Sequence, residues 1–307
     1  MLSIIIPTYN YVCTELVSEL ARQCQAYRSR STTPFDYEII VADDASPNQQ
    51  TIEANRPINK LEGCRLVERK VNVGRAYLRN WLIDEARFNY ILMIDSDALV
   101  CTNNFISSYW EHRNDANVIC GSLRNPQIPC PEGYELRYRY EHHAERRRLR
   151  SNPNSNPYRR FTTFNVMVNR TAIGNLHFDE RCQEYGYEDT LFGLILEDMG
   201  YTVRHIDNPL IHNGLDTNDS FLEKTEASLR TLSKLNGIMQ KFAGASHVYD
   251  DLKSYHLHHL FRRCFEFFKP TIRQNLLGRN PKLLLFNIYK LGYYAELKHQ
   301  AHESESV

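Results

Sequence analysis

Three polar turns each stand directly behind a short apolar run. Asp95-Ser96-Asp97 follows Tyr90 to Ile94, Asp43-Asp44-Ala45-Ser46 follows Glu38 to Ala42, and Pro7-Thr8-Tyr9-Asn10 follows Ser3 to Ile6. Two carboxylates one residue apart beyond a strand, as Asp95 and Asp97 are, can point the same way and share a hard divalent cation. Mg²⁺ and Mn²⁺ take oxygen ligands and are often held by one or two carboxylates together with substrate phosphates. Such an ion neutralises the charge that builds on a departing diphosphate. The competing reading is that the pair only caps a helix starting near Asn103, and a polar turn behind a strand is by itself an ordinary device.

Two further groups carry chemistry. Gly186-Tyr187-Glu188-Asp189 is followed by Leu191, Leu194, Ile195 and Met199 at helical spacing, with Gly200 as the stop. Acidic residues at a helix start meet free N–H groups and the positive end of the dipole, which is a sufficient structural reason for them. The same placement keeps a carboxylate ionised and rigid, as a general base requires. His212 follows another strand, Thr202 to Ile206, and a short turn. It reads either as a hydrogen-bonded polar residue or as a third ligand beside Asp97.

The elements that must position these groups alternate. Besides the runs named above, Arg65 to Val67, Asn117 to Gly121 and Phe164 to Val168 read as strands. Thr14 to Tyr27 places Leu16, Leu20, Cys24 and Tyr27 on one helical face, with Thr14 as N-cap, and Arg75 to Ala86 is a second helix. This rhythm predicts an α/β fold with a mostly parallel central sheet flanked by helices, whose ligands bind beyond the carboxyl ends of the strands. The pattern then divides the chain into a catalytic domain, 1–218, and a helical C-terminal extension, 219–307.

Two segments stand apart. Arg137 to Arg160 carries eight arginines against two glutamates and reads either as a basic loop closing over a diphosphate or as a solvated helix with Arg–Glu pairs. Lys253 to Lys298 holds nine Lys or Arg, two Glu and many aromatic residues, among them Phe261, Phe265, Phe267, Phe268, Tyr289 and Tyr293. It suits helices packed on the catalytic domain or on a second copy in a homo-oligomer, and equally a membrane-surface helix.

The formal net charge of zero over 307 residues argues against a nucleic-acid partner held by bulk electrostatics. The eight cysteines, Cys182 among them, show no Cys-x-x-Cys pair, so they read as reduced thiols of a reducing compartment. No basic leader and no span of membrane-crossing length is evident, which places the chain in the cytoplasm, free or peripheral on the inner face of the membrane.

Taken in order, Ser3-Ile4-Ile5-Ile6-Pro7-Thr8-Tyr9-Asn10, Val41 to Ser46, Asn72 to Asn80, Asp95-Ser96-Asp97 and Gly186-Tyr187-Glu188-Asp189 resemble the motifs of family 2 glycosyltransferases. The likeness covers roughly residues 2 to 215. It implies the GT-A nucleotide-diphospho-sugar transferase fold and an inverting transfer from a nucleotide-sugar, usually a UDP-sugar, to a saccharide or lipid-linked acceptor in bacterial polysaccharide or glycolipid synthesis. Through the resemblance, Pro7, Thr8, Tyr9 and Asp43 hold the nucleobase with Asn10 and Asp44 beside them, while Arg75 and Arg79 face the donor's phosphates or sugar. Asp95, with Ser96 beside it, contacts the ribose or the metal, Asp97 binds Mn²⁺ or Mg²⁺, and His212 adds a ligand. Asp189 is the implied base, with Glu188 on the acceptor or donor sugar.

Two other functions compete. A sugar nucleotidyltransferase wants a glycine-rich phosphate loop after the first strand, and Pro7-Thr8-Tyr9-Asn10 contains no glycine. A non-catalytic nucleotide-sugar-binding module has no need of Asp97, Asp189 and His212 together.

Overall fold

In the computed structural model residues 1–174, 176–180, 186–234 and 244–305 are described. The expected strand runs become β1 (Leu2–Thr8), β2 (Tyr37–Asp43), β3 (Cys64–Glu68), β4 (Tyr90–Ile94), β6 (Val118–Arg124), β7 (Asn165–Asn169) and β8 (Val203–His212). The short β5 (Ala98–Val100), invisible to periodicity at three residues, pairs with the end of β8. The helices are α1 (Thr14–Arg30), α2 (Gln49–Asn55), α3 (Arg75–Glu85), α4 (Phe105–His112), α5 (Glu135–Leu149), α6 (Arg170–Ile173), α7 (Glu188–Asp198), α8 (Asn218–Lys234), α9 (Gly244–Ser254), α10 (His258–Leu277) and α11 (Leu283–Glu305).

The chain divides into two compact units. The first comprises Met1–Pro126, Arg148–Gln183 and Glu188–Gly214; the second comprises Gln127–Arg147, Glu184–Tyr187 and Leu215–Val307.

The first unit is built on one mixed sheet in the order β3-β2-β1-β4-β7-β6-β8-β5. β3, β2, β1 and β4 run parallel, whereas β7 is antiparallel to β4 and to β6. Both faces of the parallel part are buried, and the alternation of side chains assigns each residue its layer. Leu2, Ile4 and Ile6 of β1 join Ile39 and Val41 of β2 in one core with Leu16 and Leu20 of α1 and Phe105 of α4. Ile5, Ile40 and Ala42 face the other core, with Leu78 and Leu82 of α3 and Phe192 of α7. Each fully buried Leu or Ile contributes roughly 1.5–3 kcal/mol, so these strands hold their ends firmly in place.

One local expectation is corrected, and one open alternative is decided. The N-cap of α1 is Cys13, not Thr14. Thr14 sends its hydroxyl to the Ala54 carbonyl at 2.7 Å, because Asn55 Oδ1 already accepts from the Cys13 N–H. Much of the basic stretch 137–160 is helix rather than loop, and Arg137 pairs with Glu141 one turn on, at 2.9 Å. Gly200 does end α7: it takes φ +73°, and the Tyr201 N–H reaches back to the Leu196 carbonyl.

The second unit packs helices around Leu136, Phe221, Leu222, Phe265, Ile272, Leu276, Phe286 and Tyr289. A smaller core gathers Leu229, Leu232, Tyr249 and Tyr294. Much of the aromatic tail is therefore packing, although Phe267 and Phe268 stay exposed. Among the described residues no helix is long and apolar enough to cross a membrane. The seven described cysteines are free, and Cys182 lies outside the described residues.

Candidate active site

The ends of β1 and β2 are laced together by hydrogen bonds. Ala45 turns the chain at φ +59°, which brings the Ser46 N–H and hydroxyl onto the two oxygens of buried Asp43 at 2.8 and 2.6 Å. The Asn10 N–H, itself on a residue at φ +53°, donates to Ser46 Oγ at 2.6 Å. Thr8 donates to the Tyr11 carbonyl and its own carbonyl accepts the Asp44 N–H. Pro7 closes the strand half-buried, and Tyr9 stands exposed at the rim.

Asp44 has a different role from its neighbour. Its oxygens accept the Val73 and Gly74 N–H groups at 3.0 Å each, fastening the loop before α3 to the end of β2. Burial pushes its carboxyl above the usual range, against the pull of those two N–H groups. Gly74 takes φ +82° at the start of α3, a conformation that favours glycine. Arg75 follows, exposed at the helix start.

Arg79, one turn further on, is buried among carboxylates. Only 2% of its side chain is exposed, and it donates to Asp95 at 2.9 Å, to Glu188 at 3.2 Å and to Asp189 at 3.4 Å. A buried guanidinium needs carboxylates, and three converge on it. Burial and the negative charge of Asp189 push the Glu188 carboxyl up, while Arg79 opposes them.

Asp189 sits at the first turn of α7 and stays partly open, with 28% of its side chain exposed. It accepts from Thr163 Oγ1 at 2.8 Å, from the Thr163 N–H at 3.1 Å and from Thr162 Oγ1 at 3.2 Å. Both threonines escape a search confined to strand ends in a parallel sheet. They precede β7, and because β7 runs antiparallel to β4 its beginning lies beside the end of β4. The signal was available in Thr162-Thr163, a polar pair flanked by Phe161 and Phe164.

Asp95 and Asp97 diverge. The chain turns after β4, with the Ala98 N–H on the Asp95 carbonyl, so strand alternation no longer aligns the two carboxylates. Ser96, half-buried, occupies the turn between them. Asp95 goes to Arg79, whereas Asp97 Oδ2 meets His212 Nε2 at 3.2 Å. Register explains that meeting, since β5 pairs Ala98 with His212. Burial would raise the Asp97 carboxyl, but the His212 hydrogen bond and charge, with Arg75 behind them, hold it below the usual range. Asp97 Oδ1 is buried and has no hydrogen-bond partner. A methyl group at Gly214 would come within 2.2 Å of Asp97 Oδ2, so only glycine leaves room there.

An orphaned carboxylate oxygen beside an imidazole fits a divalent cation that accepts both oxygen and nitrogen. Asp97 and His212 are the two residues placed for it. Asp95 does not join them, and among the described residues no set of three His, Cys, Asp or Glu side chains is gathered around one point.

A family model described as Glycosyl transferase family 2 matches residues 3–174. The chain is 33% identical over 126 residues to a poly(ribitol-phosphate) beta-glucosyltransferase of Bacillus spizizenii, a match covering 40% of this chain and 19% of that protein. It is 25% identical over 244 residues to a chondroitin synthase of Escherichia coli, covering 69% and 34% respectively. These matches span about a third or less of the relatives' own length. In fold it is similar to a mannosyltransferase from Pyrobaculum calidifontis solved with GDP-Man and Mn²⁺, at a TM-score of 0.53 and 13% identity, over 97% of this chain and 86% of that one.

Proposed function

The chain belongs to glycosyl transferase family 2, and from that premise we propose that it moves a sugar from UDP to an acceptor hydroxyl with inversion at the anomeric carbon. The observation that carries the reading is Asp189: a carboxylate aimed by two threonines and one arginine, yet still reachable from solvent. A general base must be ionised, fixed and accessible.

Asp189 takes the proton of the acceptor hydroxyl as its oxygen attacks the anomeric carbon and the bond to the diphosphate breaks. That bond breaks with oxocarbenium-like charge on the sugar. Asp97 and His212 would hold a divalent cation, which would supply neutralising charge for the leaving diphosphate. Glu188, buried against Arg79, orients the helix start that carries the base. In this reading Pro7, Thr8, Tyr9, Asn10 and Asp43 receive the nucleobase. The acceptor is a growing polysaccharide, a reading supported by the polymer-directed names of the two curated relatives.

Asp189→Asn tests the base. Transfer from UDP-sugars is expected to fall at least a thousandfold, with calorimetric UDP binding in Mn²⁺ unchanged. Full transfer in that variant would overturn the assignment. GDP binding tighter than UDP binding would replace the donor class and keep the chemistry.

A further inference from the structure

The second unit contains a cavity of about 630 Å³ with a composition unlike that of a packing defect. Its walls include Tyr140, Phe221 and Phe286, and three cations reach it: Arg137 from α5, Lys224 from α8 and Lys290 from α11. Among the described residues that line it there is no Asp or Glu.

The three cations are not equivalent. Lys224 is neutralised by Asp216 at 2.5 Å. Arg137 gives one nitrogen to Glu141 and lies over the Phe221 ring at 4.7 Å, but its Nε is buried without a hydrogen-bond partner among the described residues. Lys290 has no carboxylate within ion-pair distance among the described residues. Its ammonium instead lies 4.8 Å from the Phe286 ring centre and 5.5 Å from that of Tyr140.

A cation removed from water and left without an anion is costly, and ring faces offset only part of that cost. Burial accordingly lowers the Lys290 pKa. An entering anion would restore the missing charge beside Lys290. The aromatic walls and the volume, which falls in the range of small-molecule sites, set the other half of the ligand. They suit the C–H face of a sugar-sized ring rather than a bare ion.

We propose that this cavity binds an acidic sugar, a ring carrying a carboxylate or phosphate, whose anion is met by Lys290 and Arg137 and whose ring lies against Tyr140 and Phe286. All the described residues that line it belong to the second unit, and the proposal does not depend on the reaction proposed for the first. It gives the chain a means of recognising a charged residue in a glycan.

The test is calorimetric titration of the full chain with glucuronate, glucose 1-phosphate, glucose and inorganic phosphate. Saturating UDP and Mn²⁺ in every arm remove any contribution from the first unit. At least one of the two anionic sugars is expected to bind ten times or more tightly than glucose and than phosphate; whichever does so identifies the anion. Lys290→Gln should bring that sugar to the level of glucose, Lys290→Arg should retain most of the affinity, and Arg137→Gln gives an independent loss. Circular dichroism confirms that each variant is folded. Equal binding of glucose and both acidic sugars, or full affinity in folded Lys290→Gln, would overturn the proposal. Phosphate binding as tightly as the sugars would overturn the ring half of it.

Discussion

The guanidinium of Arg79 lies 3.2 Å from the carboxylate of Glu188, and neither side chain has more than 8% of its surface exposed. Arg79 thus ties α3 to the start of α7 at the point where Asp189 projects. Removing one partner of a buried pair leaves an uncompensated charge, which costs about 3–5 kcal/mol. Arg79→Met is therefore expected to lower stability by that amount in denaturant unfolding. Adding Glu188→Gln should return part of the loss, because the stranded charge is gone. An unchanged unfolding midpoint in the single variant would contradict the structural role given to the pair.

Gly214→Ala probes the other acidic site without touching a ligand. The added methyl must displace the Asp97 carboxylate, which it would approach to 2.2 Å, and so disturb the contact with His212. Mn²⁺-dependent binding of UDP should weaken by roughly tenfold or more, about 1.4 kcal/mol. The first check is calorimetry with and without Mn²⁺, paired with a melting curve. Mn²⁺-dependent binding that stays at the wild-type level would place the cation elsewhere.

Thr163→Val keeps the shape of a fully buried side chain and deletes the hydroxyl that donates to Asp189 at 2.8 Å. The carboxylate keeps the Thr162 hydroxyl and the backbone N–H of position 163, so aim is loosened rather than lost. The expected result is a fall in kcat of about tenfold, or ~1.4 kcal/mol in barrier, with nucleotide binding unaffected. Steady-state kinetics would show it, and a change in KM for the donor alone would argue that Thr163 serves binding instead.

His205 predicts a pH dependence of stability. Burial and the nearby charge of Arg160 lower its pKa, while its ring nitrogen meets the Pro157 carbonyl at 2.9 Å and pulls the other way. The folded state therefore holds the neutral imidazole, and the unfolded chain takes up the proton first as pH falls. Stability from this residue is present above about pH 6.5 and declines as pH drops toward the folded value. Comparing unfolding at pH 7.5 and pH 5 should show a smaller difference in His205→Gln than in the wild type. Identical slopes for the two proteins would refute the linkage.

Much of this protein was legible in the amino-acid order alone. Runs such as Ser3 to Ile6 and Tyr90 to Ile94 are too apolar and too short to be anything but buried strands in an alternating α/β chain, and the polar turns behind them had to meet at one edge. The order of those turns carried the family, whose model matches residues 3–174 and so spans all three of them. Tertiary structure alone decided which groups touch. A local pattern cannot tell that β7 enters antiparallel and delivers Thr162 and Thr163 to Asp189, because strand direction is set by pairing between segments distant in sequence. Nor can it tell that a turn parts Asp95 from Asp97, sending one to a buried arginine and the other to His212. Arg79 made the same point most sharply. On the sequence it is a basic residue on an amphipathic helix, free to face a phosphate, and only the convergence of three carboxylates from two other elements keeps its charge inside the protein.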